Sequence, residues 1–139
     1  MQNLIFDRDF DQPPAEVFEF FAEHENLEGM LGAKITRVCD GTDGNRNGVG
    51  SVRKIKVGPS RPFEETMTAY EPNERLAYRI TKGSPLNGHD GEINFTPNGT
   101  GTHVNWRITF GTKVPGLDHL IAIGLKRTMT KGMAEATIS

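Results

Sequence analysis

Along residues 3–11 apolar and charged side chains alternate, with Leu4, Phe6 and Phe10 on one side and Asp7, Asp9 and Asp11 on the other. A period of two marks a strand with one buried face. The next stretch, QPPAEVFEFFAEHENLEGML, opens on prolines suited to the first turn of a helix, and Val17, Phe18 and Phe21 fall on one helical face. Gly29 and Gly32 bracket a short second helix. From 33 to 111 the period returns to two. KITRVCDG, VGSVRKIKV, PFEETMTAYE, RLAYRIT, HDGEINFT and THVNWRITF read as six strands, and GTDGNRNG, GPSR, PNE and KGSPLNG as the turns between them. The PNGTG of 97–101 is the clearest hairpin turn in the chain.

From Pro115 the spacing becomes helical. Leu117, Leu120, Ile121, Gly124, Leu125, Thr128, Met129, Gly132, Met133 and Ala136 recur at three and four, while Lys126, Arg127 and Lys131 fall off the stripe. This predicts a helix of about 20 residues, roughly 30 Å long. Strands grouped apart from helices mean an α+β fold, a curved seven-stranded antiparallel sheet covered by the long C-terminal helix. A twisted sheet curled round one helix leaves a gap. The small residues Gly124, Thr128 and Gly132 either widen that gap or permit close helix–sheet contact.

Two adjacent carboxylates, Glu64 and Glu65, interrupt one strand, and neighbours on a strand face opposite ways. Parity places Glu65 inside with Phe63 and Met67, and Glu64, Thr66 and Thr68 outside; Val52 and Tyr70 break the pattern. On the preceding strand Ser51, Arg53, Ile55 and Val57 share a face. Pairing Val57 with Arg61 sets Arg53 directly opposite Glu65, and a loop two residues longer makes them diagonal neighbours. An arginine beside it makes a buried carboxylate tolerable. The ion pair is read either as a device that fixes register or as part of a site. His89 shares parity with Ile93 and Phe95, and Tyr78 and Trp106 face the same way. If Ile80 borders both Glu65 and His89, those two side chains stand about 10 Å apart at the backbone. Arg8 shares parity with Leu4, Phe6 and Phe10 but lies near a strand end, where it is expected to reach water.

Composition narrows the classes. The 139 residues suit one domain, 1–139, and 16 basic against 18 acidic residues give no surplus for phosphate neutralisation, so no nucleic-acid partner is expected. The single cysteine, Cys39, has no internal partner, and His24, His89, His103 and His119 are scattered without metal-ligand spacing, so neither a metal nor another cofactor is expected. GTDGNRNGVG lacks the lysine and following helix of a phosphate loop and reads as a turn. Asn94 and Asn98 stand in glycosylation-type triplets, read as chance in the absence of a secretory signal. The apolar run LIAIGL is too short to span a membrane, so no membrane insertion is expected. A cytoplasmic protein, monomer or homodimer, is the expectation.

The order of DFDQPPAEVFEFFA, GVGSVRKIKV, FEETMTAYEPNERLAYRI, GSPLNGHDGEINFTPNGTGTHVNWRITF and the closing amphipathic helix resembles the SRPBCC superfamily over nearly the whole chain. This is the helix-grip fold of START-like lipid-binding proteins, the birch-pollen-allergen group and the polyketide cyclase/dehydrase group. The resemblance implies a cavity between sheet and long helix for a small hydrophobic molecule such as a lipid, a polyketide or an aromatic metabolite. Met67, Tyr78, Ile80, Phe95, Trp106, Ile108, Ile121, Leu125 and Met129 are then the expected lining, with Arg53, Glu65 and His89 orienting one polar end. The alternative is a cyclase- or dehydratase-type enzyme in which Arg53 stabilises an enolate and Glu65 or His89 moves protons. A third class is an accessory role, for which no exposed apolar stripe singles out a surface.

Overall fold

The computed structural model describes residues 1–138. Its strands are β1 (Gln2–Phe10), β2 (Lys34–Cys39), β3 (Val52–Lys56), β4 (Phe63–Glu71), β5 (Arg75–Lys82), β6 (Leu86–Asn98) and β7 (Gly101–Thr112). Its helices are α1 (Pro14–Ala22), α2 (Glu28–Leu31) and α3 (Leu117–Glu135), with a 3-10 turn at His24–Leu27. The strands form one antiparallel sheet in the order β1-β7-β6-β5-β4-β3-β2. Consecutive strands from β2 to β7 are neighbours, whereas β1 and β2 lie on opposite edges. The segment joining them, which carries α1 and α2, therefore crosses one face of the sheet. This is the α+β arrangement that the periodicity implies.

The middle of the inner face is covered by α1. Its buried Phe18 meets Tyr70 and Phe95 with ring centroids 5.2 and 5.3 Å apart, and Phe21 meets Phe95 and Trp106 at 5.8 and 5.9 Å. All four contacts are edge-to-face, the arrangement favoured by aromatic quadrupoles. The inward turn of Tyr70, which strand parity alone does not explain, follows from a β-bulge between Met67 and Ala69 that shifts register by one. Tyr70 is thereby paired with the buried Leu76.

The cover provided by α3 is narrower than its length suggests. It packs mainly on α2, β1 and β7, and buries Ala122, Met129 and Met133. Leu120 and Ile123 are left 67% and 49% exposed. Of the two glycines on its stripe, Gly132 serves close packing, but against α2 rather than the sheet. A Cβ there would stand 2.4 Å from the Met30 carbonyl oxygen, whereas one on Gly124 would meet nothing. Arg8 is a further correction. Rather than reaching water, its Nη1 donates to the carbonyl oxygens of Met133 and Ala136 and satisfies the last turn of α3.

Candidate functional site

The β3–β4 ladder pairs Ile55 with Phe63 and Arg53 with Glu65, the register that the short-loop reading requires. Both charged side chains point inward, Arg53 1% and Glu65 8% exposed. They do not form the expected ion pair. The Arg53 guanidinium turns to the end of α1: Nη2 donates to the Ala22 carbonyl at 3.1 Å and to Asn47 Oδ1 at 2.9 Å, and Nη1 to Ser51 Oγ at 3.2 Å. Its Nε stands 3.5 Å from Glu25 Oε1. Ala22 closes α1, so its carbonyl is one of those that a helix leaves without an internal partner. A planar fork of donors suits this convergent set of oxygens better than one carboxylate across the ladder.

The neighbouring corner is held by Arg37, whose Nη2 bonds Asn47 Oδ1 at 2.6 Å and lies 3.2 Å from Glu23 and from Glu25. The basic and acidic groups of the β2–β3 loop and the 3-10 turn are thus committed to each other.

Glu65 is left alone. Among the described residues its carboxyl meets no hydrogen-bond donor, and burial pushes its pKa up to about 8 against the opposing pull of the Arg53 charge. It is therefore a neutral acid near pH 7, as desolvation demands of a partnerless carboxyl. Its oxygens nevertheless keep some accessible surface, unlike the sealed His24 Nε2, Arg37 Nε and Arg53 Nε, which also make no hydrogen bond. Its cross-strand neighbour on β5 is Ile80, as expected, and the Ile80 amide donates to His89 Nδ1 at 3.1 Å. Burial lowers the His89 pKa to about 4, so the ring is neutral and keeps that lone pair for the amide.

Tyr78, next inward on β5, receives the Trp106 Nε1 proton at 2.9 Å, and its ring stacks over Gly91, where a Cβ would come within 2.2 Å of it. Burial, and then the nearby Glu65 charge, raise the Tyr78 phenol well above its usual pKa. The sequence does not single out His24. It is 3% exposed, with its ring 5.3 Å from that of Tyr78. Burial first, then Arg53 and Arg37, hold its pKa down to about 3. Its position three residues after Phe21 and seven after Val17, which extends the buried stripe of α1 into the 3-10 turn, is the signal that would have found it.

The remaining expected lining residues fall into two groups. Met67, Phe95, Trp106, Ile108 and Met129 are buried in the core, and Phe95 and Trp106 are packed by α1. Ile80, Ile121 and Leu125 are half-buried, as are Phe63, Leu86 and Leu4 on the inner face. Two surface clefts lie elsewhere, one of about 650 Å³ between α1 and Thr137–Ile138 and one of about 620 Å³ beside Gly32, Lys34 and Lys56. Neither is lined by Glu65, His89 or the expected apolar set. Among the described residues no helix is long and apolar enough to cross a membrane, and no group of three or more His, Cys, Asp or Glu side chains is placed to hold a metal ion.

A bent antiparallel sheet gripped by helices is the architecture of a helix-grip protein of the SRPBCC type. The chain belongs to the family described as polyketide cyclase / dehydrase and lipid transport, whose model matches residues 1–136. Solved structures share the fold. Protein TTHA0849 of Thermus thermophilus is 18% identical with a TM-score of 0.69, over 94% of this chain and 88% of that one. DR_A0006 of Deinococcus radiodurans is 16% identical with a TM-score of 0.65, over 96% and 92%. The Aha1 dimer of Colwellia psychrerythraea is 14% identical with a TM-score of 0.62, over 95% and 98%. No curated protein matches the sequence.

Proposed function

We propose that the protein binds a small, largely apolar molecule bearing one hydrogen-bonding group, seated at the Glu65 end of the inner face. The observation that carries this reading is the buried Glu65 carboxyl, which has no partner and is not sealed. A neutral carboxyl offers both a donor and an acceptor, and leaving it unmatched costs about 1–3 kcal/mol that a ligand hydroxyl or carbonyl recovers. Half-buried Phe63, Ile80, Leu86, Ile121 and Leu125 supply the apolar flank. Arg53 plays a structural part, since its donors already serve Ala22, Asn47 and Ser51. The family's lipid-transport description points the same way.

Native mass spectrometry of gently purified protein, combined with displacement of an apolar fluorescent dye, tests this. A retained mass, and dye binding weakened by Glu65→Gln and by Ile121→Glu, are expected. Protein with no adduct, and dye binding indifferent to both substitutions, would overturn it.

A second reading has its own support in the raised pKa of Glu65. A carboxyl still protonated near neutrality is suited to give a proton to a developing enolate and recover it later. On that reading turnover of a cyclisable polyketide chain collapses in Glu65→Gln while its binding survives. Unchanged turnover in that variant rejects the enzyme.

A further inference from the structure

In this antiparallel sheet the ends of β3, β5 and β7 and the starts of β1, β2, β4 and β6 meet along one rim. The connections 57–62, 83–85 and 113–116 lie there. The start of α3 is fixed to the same rim, because Gln2 Nε2 donates to Asp118 at 3.1 Å and the N-terminal ammonium stands 3.7 Å from it. Lys34, Lys56, Arg61, Lys82 and Lys113 are spread along this rim and all are exposed. Lys34 and Lys56 are direct cross-strand partners, a like-charge pair that the sheet does not favour.

Apolar side chains are interleaved with these charges and face water: Val57 is 44%, Val114 58% and Leu120 67% exposed. The carboxylates beside them are engaged. Glu28 accepts from the Ile35 amide at 2.7 Å, Asp118 is held as above, and Glu64 is flanked across the ladders by Lys54 and Lys82.

The opposite rim carries Asp9, Asp11, Asp40, Asp43, Glu71 and Glu74, all exposed. Its arginines are tied down, Arg46 to Glu23 and Arg75 to Glu71 and Glu92. A net charge of −2 therefore conceals a molecule with one basic end and one acidic end. Such a separation orients a protein toward an anionic surface without any overall attraction.

We propose that the basic rim docks on an anionic lipid surface, with Val57, Val114 and Leu120 entering the headgroup layer and the lysines and Arg61 meeting lipid phosphates. Exposed aliphatic tips between cations match a bilayer interface, which rewards both terms together. A nucleic acid asks for stacking aromatics, and this rim exposes none. The proposal does not depend on what occupies the space at Glu65.

Co-sedimentation of the whole protein with phosphatidylcholine vesicles, with and without phosphatidylglycerol, tests it. Binding to the anionic vesicles alone, weakening as salt rises, is expected. The triple variant Lys34→Glu, Arg61→Glu, Lys113→Glu should bind at least ~10-fold more weakly. Val57→Ser with Val114→Ser and Leu120→Ser should also weaken binding, while Asp11→Lys with Glu74→Lys leaves it intact. Circular dichroism confirms that each variant is folded. No binding to either vesicle, equal binding to both, or undiminished binding by the charge-reversed variant overturns the proposal. So does binding to duplex DNA as tight as that to vesicles and indifferent to the three serines.

Discussion

Arg53 and Glu65 are direct cross-strand partners on the inner face of β3 and β4, and they do not bond to one another. The arginine is drawn to the open end of α1, where Ala22, Asn47 and Ser51 offer oxygens in a converging set. The glutamate is left buried and protonated. One half of the pair is thus structural and the other is free to act, so the two side chains have separable consequences.

Glu65 should make the fold less stable as pH rises. Its pKa is 4.5 in the open chain and about 8 in the folded one. Below pH 4.5 both states hold the proton, and above 8 neither does. Between these limits only the folded state holds it, so stability falls by about 1.4 kcal/mol per pH unit, on the order of 5 kcal/mol in all. Glu65→Gln carries no such proton. Urea unfolding across that window should show the variant gaining on wild type as pH rises, and parallel profiles would remove the burial argument.

The separation of Arg53 from Glu65 predicts weak coupling. Arg53→Met strands the Ala22 carbonyl and Asn47 and should cost about 2–4 kcal/mol. If the two side chains formed an ion pair, adding Glu65→Gln would recover much of that loss. Here the double mutant at pH 6 should fall within about 1 kcal/mol of the sum of the singles. A large recovery in this cycle would mean that the two groups do meet in solution.

The register that sets Arg53 opposite Glu65 is legible in the sequence because turn length and two-residue parity fix it together. The seven strands, the length of α3 and the inward turn of His89 follow from the same local periodicities, whereas the seating of β1 beside β7 does not. What the sequence hides is competition between elements. Nothing local in KIKV or FEET reveals that Ala22 ends a helix within reach of Arg53. Nor does the apolar stripe of α3 reveal that α1 fills the centre of the face, because Phe18 and Phe21 reach Phe95 and Trp106 only through the crossing connection from β1 to β2. The bulge at 67–69 is invisible for a similar reason, since it answers to the packing of Tyr70 on Phe18.

Two neutral histidines, the buried His24 and the half-buried His89, should shape the acid limb of stability. His24 and His89 have folded pKa values of about 3 and about 4, below the ordinary 6.5. As pH falls through 6.5 the unfolded chain takes up protons that the folded chain refuses, so each histidine subtracts about 1.4 kcal/mol per pH unit. Glu65 contributes the opposite slope down to 4.5, leaving a net loss of roughly one such unit between 6.5 and 4.5. His24→Phe keeps a ring against Tyr78 and removes one of the two, so its stability should be nearly flat across that window. An acid limb as steep as wild type in this variant would assign the proton uptake elsewhere.

Gly91 and Tyr78 should behave as one unit. The Tyr78 ring occupies the space that a Cβ on Gly91 would take, with Cζ 2.2 Å from that point. The same placement lets its hydroxyl accept the Trp106 proton at 2.9 Å. Gly91→Ala must push the ring away and orphan the indole N–H of a residue that is 1% exposed. The expected loss is about 2–4 kcal/mol, against about 1–2 kcal/mol for Tyr78→Phe, which removes the bond and keeps the ring. Tyr78→Leu vacates the space, so adding Gly91→Ala to it should cost far less than it does in wild type. Strict additivity of these two changes in chemical denaturation would show that the ring does not rest on residue 91.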